Sequence, residues 1–569
     1  MRREGPSLTD RAAAPALQAR AGLAILAAMR IPDRLLATLL YAFSAAAIAS
    51  PHAAVDVPPT GAETTAALAE RIDAWIAQPR FSAADWGIAV VSLDSGRTLY
   101  AHNAGRLFLP ASTAKLYTAA LALDTVGGDY RIPTRLLGGG SIRQGRLDGP
   151  LVLYGMGDPS LGTGASADWA DQLAAQLAAR GVRRVRGDLV ADDGYFVGPA
   201  TGSGWEADDL QSWFAAPTSA LSVDENTVAV TVRPAARAGQ PARLSFEPDE
   251  AAPPVAGTLL TGAAHTPADI NLYRAPGDAT VHAFGRLPAG MVPPRYRLAV
   301  ADPAALAGKL LQHALARHGI GLAGHLRVLH WPQDDTALLA HAQVLGQVLS
   351  PPLIDVLTSG LKRSQNLYLE NILQIAGVKA RADAAASDSL PDGFLSNEDW
   401  GIRALHVLLG RIGIPPGAAL LQEGTGLSRQ DLTTPAALVR LLQYLAAQPY
   451  AARLRDALPV AGKDGTLQWR MRGTPAEGNV HAKTGSMTYV ACLAGYLTTA
   501  AGERLAFAIM LNQYHRAAGA APASRELDPI AEQLAAFRGD DGQAATAHSR
   551  APAATTPAAA KARSAVLAR

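Results

Sequence analysis

The chain has 569 residues, of which 49% are hydrophobic and 18% charged, so most of it can bury a core and wholesale disorder is excluded. Its 51 Lys and Arg residues nearly balance 49 Asp and Glu residues, which argues against a nucleic-acid partner bound by phosphate neutralisation. The single cysteine, Cys492, excludes an intrachain disulfide and a thiolate zinc site. The 13 histidines show no metal-binding spacing, and no glycine-rich phosphate loop opens a helix, so no metal or nucleotide cofactor is expected.

Both ends of the chain differ from the middle. An uncharged apolar run at 35–49 follows Arg30 and Arg34 and ends in small residues, which is the layout of a secretory signal peptide. The run is shorter than a membrane span of about 20 residues, although an uncleaved anchor is the alternative. We expect export, and translation from Met29 is a hypothesis that would make the signal conventional. From about Asp540 the chain lacks aromatic residues and apolar periodicity, which predicts a mildly basic disordered tail, either solvated or weakly associated with membrane or wall.

Between the ends, helical and strand patterns alternate. Helical periodicity predicts helices at 66–77, 112–126, 168–179, 303–317, 354–361, 365–377, 398–409, 435–446 and 529–537. Strand patterns lie at 86–93, 98–101, 151–154, 185–190, 227–232, 480–483, 489–498 and 504–511. The stretch from about 130 to 343 alternates short strands with Gly/Pro turns, which indicates a β-rich insertion. This order predicts an α/β (α+β) fold, a single sheet covered by helices whose two halves are separated by the insert.

The first chemical motif is Ser112-Thr113-Ala114-Lys115. A serine and a lysine three residues apart face the same side of a helix. A serine hydroxyl is a poor nucleophile at neutral pH, and a lysine one turn away can act as its base if desolvation lowers the lysine pKa. The positive end of the helix would favour a developing oxyanion. Seen alone, most such pairs are coincidental.

The second motif, Ser364-Gln365-Asn366, opens an apolar helix. Serine and asparagine at such junctions are usually helix caps. In a functional role, the hydroxyl relays a proton and the amide holds a substrate backbone.

The third motif is Lys483-Thr484-Gly485-Ser486, which closes one strand and precedes a long apolar strand. A cation with two adjacent hydroxyls suits a carboxylate ligand. A glycine in a strand lets another backbone approach closely. Alone, this stretch could equally be an ordinary strand edge.

In this order the three motifs resemble the S-x-x-K, S-x-N and K-T-G set of the serine acyl-transfer enzymes that recognise penicillins. Ser112 and Ser364 are 252 positions apart, whereas Ser364 and Lys483 are 119 apart. That long first interval is similar to the low-molecular-mass penicillin-binding D-alanyl-D-alanine carboxypeptidase/endopeptidases with a large insert, and compact β-lactamases lack it. Further stretches that resemble this family lie at 157–161, 192–196, 204–206, 216–222, 424–429 and 458–462. The resemblance covers about 66 to 537.

The resemblance implies a serine β-lactamase/transpeptidase-like sheet covered by helices, in a periplasmic enzyme without a cofactor. The implied divisions are 1–53 for the extension and signal peptide, 54–134 and 344–538 for the two parts of the transpeptidase-like domain, 135–343 for the β-rich insert, and 539–569 for the tail. The implied substrate is the peptide part of peptidoglycan, with β-lactams as inhibitors. The balance of carboxypeptidase and endopeptidase action and the oligomeric state stay open.

The resemblance also assigns roles to individual residues. Ser112 would attack the carbonyl of the penultimate D-alanine, with Lys115 as its base, and Ser364 and Lys483 would share the proton path. The substrate would be held by Asn366, by Thr484, Gly485 and Ser486 at its carboxylate, and by the oxyanion-hole N–H groups of Ser112 and Ser486. Asp192 in the insert would bind a cationic group of the peptide or, alternatively, only cap a turn.

Three departures and two rival functions accompany the resemblance. Gln365, Thr425 and Met487 stand where the family usually has Asp, Ser and Leu. A β-lactamase or esterase of the same fold would need a positioned basic carboxylate, for which Glu370 is the nearest candidate and no loop glutamate is evident. A non-catalytic wall-binding scaffold is the second rival, and the intact motifs argue against it.

Overall fold

The computed structural model describes residues 63–539, so the predicted signal segment and tail lie outside the described residues. The helices are α1 Thr65–Ile76, α2 Lys115–Thr125, α3 Trp169–Ala179, α4 Pro303–Arg317, α5 Thr336–Leu339, α6 Leu353–Arg363, α7 Asn366–Ala386, α8 Asn397–Arg411, α9 Pro435–Ala446, α10 Ala451–Ala457 and α11 Asp528–Ala536. The first strands are β1 Asp85–Ser92, β2 Thr98–His102, β3 Pro133–Gly138, β4 Ile142–Arg143, β5 Arg146–Leu147, β6 Leu151–Tyr154, β7 Arg184–Val185, β8 Leu189–Asp192, β9 Thr227–Arg233, β10 Arg243–Glu247 and β11 Val255–Gly262. The remaining strands are β12 Asp269–Tyr273, β13 Val281–Pro288, β14 Arg295–Ala299, β15 Gly321–Leu322, β16 Leu326–Leu329, β17 Gln343–Leu349, β18 Ala419–Leu420, β19 Leu432–Thr433, β20 His481–Met487, β21 Val490–Thr498 and β22 Arg504–Asn512.

A five-stranded antiparallel sheet brings the two ends of the described chain together. Its order is β2-β1-β22-β21-β20, so β1, which precedes the first motif, pairs directly with β22, which follows the third motif. In register, Trp86 lies opposite Leu511, and Gly485 lies opposite Cys492. Strand β20 is an edge strand, and one side of it is therefore open to a ligand.

Both faces of this sheet are buried, which explains the continuous apolar runs in its last two strands. Along β22, Leu505, Phe507 and Ile509 face a core shared with α1 and α11. The alternate residues Ala506 and Ala508 face the opposite core, built on α2 and α6 to α9. Each fully buried large side chain contributes about 1.5–3 kcal/mol to the free energy of folding. Because both faces of the sheet are packed in this way, it is a rigid support for the third motif. The predicted helix-covered sheet is confirmed.

The chain between the first two motifs forms separate sheets. It leaves on β3 and returns on β17, and these two strands pair antiparallel within a sheet of order β16-β8-β6-β3-β17. Three smaller sheets, β15-β7-β5-β4, β10-β9-β14 and β11-β13-β12, complete this region. Helices α3 and α4 pack on a core of its own.

The predicted continuous strand at 185–190 is wrong. Strand β7 pairs with β5 and β15, whereas β8 pairs with β6 and β16, so the chain passes from one sheet to another between them. At the crossing, a Cβ on Gly187 would lie 2.6 Å from the carbonyl carbon of Gly149. This close approach of two backbones depends on residues far apart in sequence, and local strand patterning cannot reveal it.

The helix predicted to open near Ser112 begins differently. Residues Ala111–Ala114 form a 3₁₀ turn, and the α-helix starts only at Lys115. The helix predicted at 365–377 continues to Ala386. Among residues 63–539, no helix combines the length and the hydropathy needed to cross a bilayer.

Candidate active site

The first motif forms a hydrogen-bonded pair in a buried setting. Lys115 Nζ donates to Ser112 Oγ at 2.8 Å, to Asn366 Oδ1 at 2.5 Å and to the Thr425 carbonyl at 2.7 Å. Its side chain is fully buried, while Ser112 is only half-buried. The three acceptors use all three hydrogens of an ammonium group. This network places the amine where it can take the Ser112 proton.

Burial sets the proton affinity of this amine. It lowers the pKa of Lys115 to about 7, and the neighbouring carboxyl groups of Glu423, Glu370 and Asp431 oppose this shift to the extent that they are ionised. Near neutral pH a substantial fraction of Lys115 is therefore unprotonated. A base whose pKa lies near the working pH is the most effective in general-base catalysis.

The second and third motifs form a matching pair. Lys483 Nζ donates to Ser364 Oγ at 2.8 Å and to the Thr484 carbonyl at 2.7 Å. Burial, and secondarily the charge of Lys115, holds the pKa of Lys483 well below its usual value. The two lysines therefore repel each other's charge, and a single proton between them is favoured over two.

Helix geometry positions Ser364. It ends α6 with a left-handed φ of 57°, and the next N–H, of Gln365, donates to the Gly360 carbonyl at 2.8 Å. A left-handed residue at this position is the usual way to terminate a helix, although glycine is the common choice. A non-glycine residue held there is strained, and such strain concentrates at functional positions.

Asn366 joins the nucleophile pair to the inserted region. Its Oδ1 accepts from Lys115, and its Nδ2 donates to the Phe214 carbonyl at 2.7 Å. Because both ends of the amide have partners, the orientation of Asn366 is fixed by this network.

The K-T-G strand lies directly against the nucleophile turn. A Cβ on Gly485 would lie 2.6 Å from the Pro110 carbonyl oxygen and 3.2 Å from the Ala111 Cβ. Only glycine allows this approach of β20 to Ser112. Thr484 Oγ1 is hydrogen-bonded to Thr466 Oγ1 at 2.7 Å, and Ser486 is exposed.

A buried loop glutamate lies beside Lys115, which the sequence did not suggest. Glu423 accepts from the Thr425 N–H at 2.9 Å, the Gly426 N–H at 2.5 Å, the Leu427 N–H at 3.0 Å and the Trp205 Nε1–H at 3.2 Å. The sequence reasoning missed this buried glutamate as a neighbour of Lys115. The sequence signal that could have identified Glu423 is its position directly before the stretch 424–429, which resembles the family. With its oxygens occupied by these donors, Glu423 is not arranged as a base for water.

Asp192 lies apart from these contacts. It ends β8, is fully buried, and accepts from the Gly194 N–H at 2.9 Å through Oδ1. Its Oδ2 has no donor among the described residues. Burial raises the pKa of Asp192 to about 7, and the charges of Asp335 and Asp193 add to this. Across residues 63–539, no group of three or more His, Cys, Asp or Glu is arranged to hold a metal ion.

A groove of about 560 Å³ lies beside the site. It is lined by Leu109, three residues before the nucleophile, and by Thr488, directly after β20. Leu107, Arg429, Tyr489 and His515 also line it, whereas Ser112 itself does not. This volume suits a peptide segment that extends from the reacting bond.

The site contains two pairs, in each of which a buried lysine amine is hydrogen-bonded to a serine hydroxyl, at the edge of a helix-covered antiparallel sheet. This arrangement defines a serine acyl-transfer hydrolase of the penicillin-recognising class. The chain belongs to the D-Ala-D-Ala carboxypeptidase 3 (S13) family, whose model matches residues 68–534. The predicted family and hydrolase class are therefore confirmed.

Individual relatives agree with this assignment. The chain is 35% identical to the D-alanyl-D-alanine carboxypeptidase of Actinomadura sp. (strain R39) over 83% of this chain and 85% of that protein. It is 30% identical to the D-alanyl-D-alanine carboxypeptidase DacB of Haemophilus influenzae over 75% of this chain and 85% of that one. The crystal structure of penicillin binding protein 4 from Haemophilus influenzae superposes with a TM-score of 0.69 at 28% identity, covering 80% of this chain and 96% of that chain. The same protein has a structure in complex with a β-lactam.

Proposed function

We propose that the chain removes the terminal D-alanine from peptidoglycan stem peptides through an acyl-enzyme on Ser112. The observation that carries this proposal is the 2.8 Å hydrogen bond between the buried Lys115 amine and the Ser112 hydroxyl. As Ser112 Oγ attacks the penultimate D-alanine carbonyl carbon, Lys115 Nζ takes the hydroxyl proton. The peptide C–N bond then breaks, an ester forms on Ser112, and the terminal D-alanine leaves as an amine after gaining a proton.

Ser364 and Lys483 carry the proton to the leaving group. The 2.8 Å contact between them supports a relay in which Ser364 Oγ gives its proton to the departing nitrogen and recovers one from a lysine. Water subsequently attacks the ester, with Lys115 again as base, and the shortened peptide is released. A β-lactam follows the first half of this sequence and stays attached to Ser112.

Substrate binding uses the edge of the sheet. The backbone N–H groups of Ser112 and Ser486 stabilise the oxyanion, each donor being worth about 2.7–4 kcal/mol. The terminal carboxylate is bound by the hydroxyls of Thr484 and Ser486, beside Gly485, whose lack of a side chain lets the strand lie close to Ser112. Asn366 holds the peptide backbone. The edge position of β20 supports this arrangement because its outer backbone groups are free to bind a ligand.

Asp192 binds a cationic group of the stem peptide in this scheme. Its buried Oδ2 lacks a donor among residues 63–539, which supports the binding of a cation. Its Oδ1 accepts from the Gly194 N–H, which is the contact expected if Asp192 only caps a turn. Asp192→Asn would weaken acylation by peptides with a free amino group and leave acylation by penicillin unchanged. Equal effects on both substrates would leave Asp192 a turn residue only.

The division of the chain and its export belong to the same proposal. The pairing of β3 with β17 supports a region 135–343 inserted between the 54–134 and 344–538 parts of a transpeptidase-like domain. A cell-wall substrate requires a location outside the cytoplasm, and the apolar segment at 35–49 supports export to the periplasm. Cell fractionation with N-terminal sequencing of the mature protein tests both the location and the processing site.

Labelling and digestion test the function. A fluorescent penicillin is expected to label the wild-type chain and not Ser112→Ala, with both proteins folded by circular dichroism. Release of D-alanine from pentapeptides measures carboxypeptidase action, and cleavage of cross-linked dimers measures endopeptidase action. Rapid turnover of the bound penicillin would instead indicate a β-lactamase, and wall binding without labelling would indicate a scaffold.

A further inference from the structure

Four buried carboxyl groups surround the Lys115 side of the site, and the proposed mechanism gives them no role. Glu370 lies on α7, Glu398 on α8, and Glu423 and Asp431 lie on the loop between β18 and β19. All four are at most 6% exposed. Among residues 63–539, the charge of Lys483, on β20, also interacts with Lys115. Four ionised carboxylates in this space would repel one another strongly, so some of them must hold protons.

Oxygen atoms without a donor indicate which of these carboxyls hold protons. Glu370 Oε2 accepts from the Gly424 N–H at 2.7 Å, but its Oε1 has no donor among the described residues, and this carboxyl is hydrogen-bonded to Glu398. Asp431 Oδ1 accepts from the Gln422 N–H at 2.7 Å, but its Oδ2 also lacks a donor within 63–539, and this carboxyl is hydrogen-bonded to Glu423. A proton on each orphaned oxygen would complete both bonds.

Glu423 is the opposite case. Its two oxygens accept from three successive N–H groups, from the Thr425 hydroxyl at 2.6 Å and from the Trp205 indole. Burial opposes its ionisation, but the hydrogen bonds from Asp431, Thr425 and Trp205 and the charge of Lys115 outweigh it, so the pKa of Glu423 is lowered. Burial first, and then neighbouring charge, raises the pKa of Glu370 and of Asp431 well above the usual range.

We propose that Glu423 is a positioning residue for acylation. Its carboxylate is the counter-charge of Lys115 and fixes the Thr425 carbonyl that accepts from Lys115 Nζ. Glu370 and Asp431 remain protonated, and they donate to Glu398 and Glu423, respectively. The inference rests on the proposed role of Lys115 as base. It assigns an ionised state to Glu423 and a protonated state to Glu370 and Asp431, and an isosteric amide at each of these three positions separates the two states.

The test compares Glu423→Gln with two matched controls, Glu370→Gln and Asp431→Asn. The readout is the midpoint of the acid limb of penicillin acylation, measured by stopped-flow labelling across pH. Loss of a nearby negative charge destabilises the lysine ammonium, so Glu423→Gln moves the midpoint to lower pH by about one to three units. Glu370→Gln and Asp431→Asn replace a neutral donor with a neutral donor, and their midpoints stay within about 0.3 unit of wild type. A merely structural role would lower the rate without moving the midpoint.

A second measurement covers the case in which Glu423→Gln does not fold. The infrared carbonyl stretch of a buried protonated carboxyl is expected at neutral pH, and a part of it is lost in Glu370→Gln and another part in Asp431→Asn. If neither variant loses such a band, or if either moves the acid midpoint as Glu423→Gln does, the proposal is overturned. Retained acylation in Lys115→Ala would refute the proposed base instead, and the infrared result does not depend on that outcome.

Discussion

Replacing Gly485 with alanine tests whether the K-T-G strand abuts the nucleophile turn. The new Cβ would lie 2.6 Å from the Pro110 carbonyl oxygen, and ordinary contact begins at 3.4 Å, so β20 would have to retreat by 0.8 Å. Overpacking of this kind costs about 1–3 kcal/mol of stability. A displacement near 1 Å between reacting groups lowers rates on the order of 100-fold, which corresponds to about 2.7 kcal/mol in the activation free energy.

The assay is the second-order rate of labelling by a fluorescent penicillin, with the melting temperature measured alongside. Gly105→Ala is the matched control, because a Cβ there meets no atom within 4 Å and its backbone is not left-handed. We expect the control to match wild type in both measurements, and Gly485→Ala to be folded but about 100-fold slower. A folded Gly485→Ala that labels within threefold of wild type would refute the close packing of β20 on Ser112.

Three further expectations concern proton transfer and the inserted region. Because the pKa of Lys115 is lowered to about 7 and the base acts unprotonated, acylation should be about tenfold slower at pH 6 than at pH 8; a flat profile from labelling rates would contradict this. Ser364→Ala should slow acylation by about 10²–10⁴-fold with an unchanged melting temperature, and a loss below fivefold would remove it from the proton path. Glu225 Oε2 accepts from Gln365 Nε2 at 2.8 Å. A double-mutant cycle with Glu225→Ala and Gln365→Ala should give a coupling energy of about 0.5–3 kcal/mol in denaturant unfolding; additivity would show that this contact contributes nothing.

Local signals determined which elements the sequence could predict. Helices α4 and α9 were predicted with both ends correct, and the start of each is marked by a proline at its first position and a side-chain cap before it. Asp302 accepts from the Ala305 N–H, and Thr434 accepts from the Ala437 N–H. The break between β7 and β8 depends on contact with Gly149, which lies far away in sequence, and no local pattern encodes it.

The site shows the same division. The three motifs identified Ser112, Lys115, Ser364 and Lys483, and the structure brings their amines and hydroxyls into two 2.8 Å hydrogen bonds. Glu423 was missed because an acidic residue before a glycine in a polar loop is normally exposed. Its burial follows from the packing of that loop against α2, where the Thr118 hydroxyl donates to the Gly424 carbonyl at 2.7 Å, and no motif encodes this contact.

The inserted region supports the site through contacts that the motifs alone could not indicate. The Phe214 carbonyl accepts from Asn366, the Trp205 indole donates to Glu423, and the Ser203 N–H donates to Glu398. Each contact pairs a buried polar group on one of three side chains near Lys115. Leaving such a group without a hydrogen-bond partner lowers the folding stability by about 1–3 kcal/mol. A catalytic domain stripped of this segment would therefore lose the orientation of Asn366 and one hydrogen bond to the Glu423 carboxylate together. Residues 203–214, which lie between the first two motifs, therefore help to hold Asn366 and Glu423 in place beside Lys115.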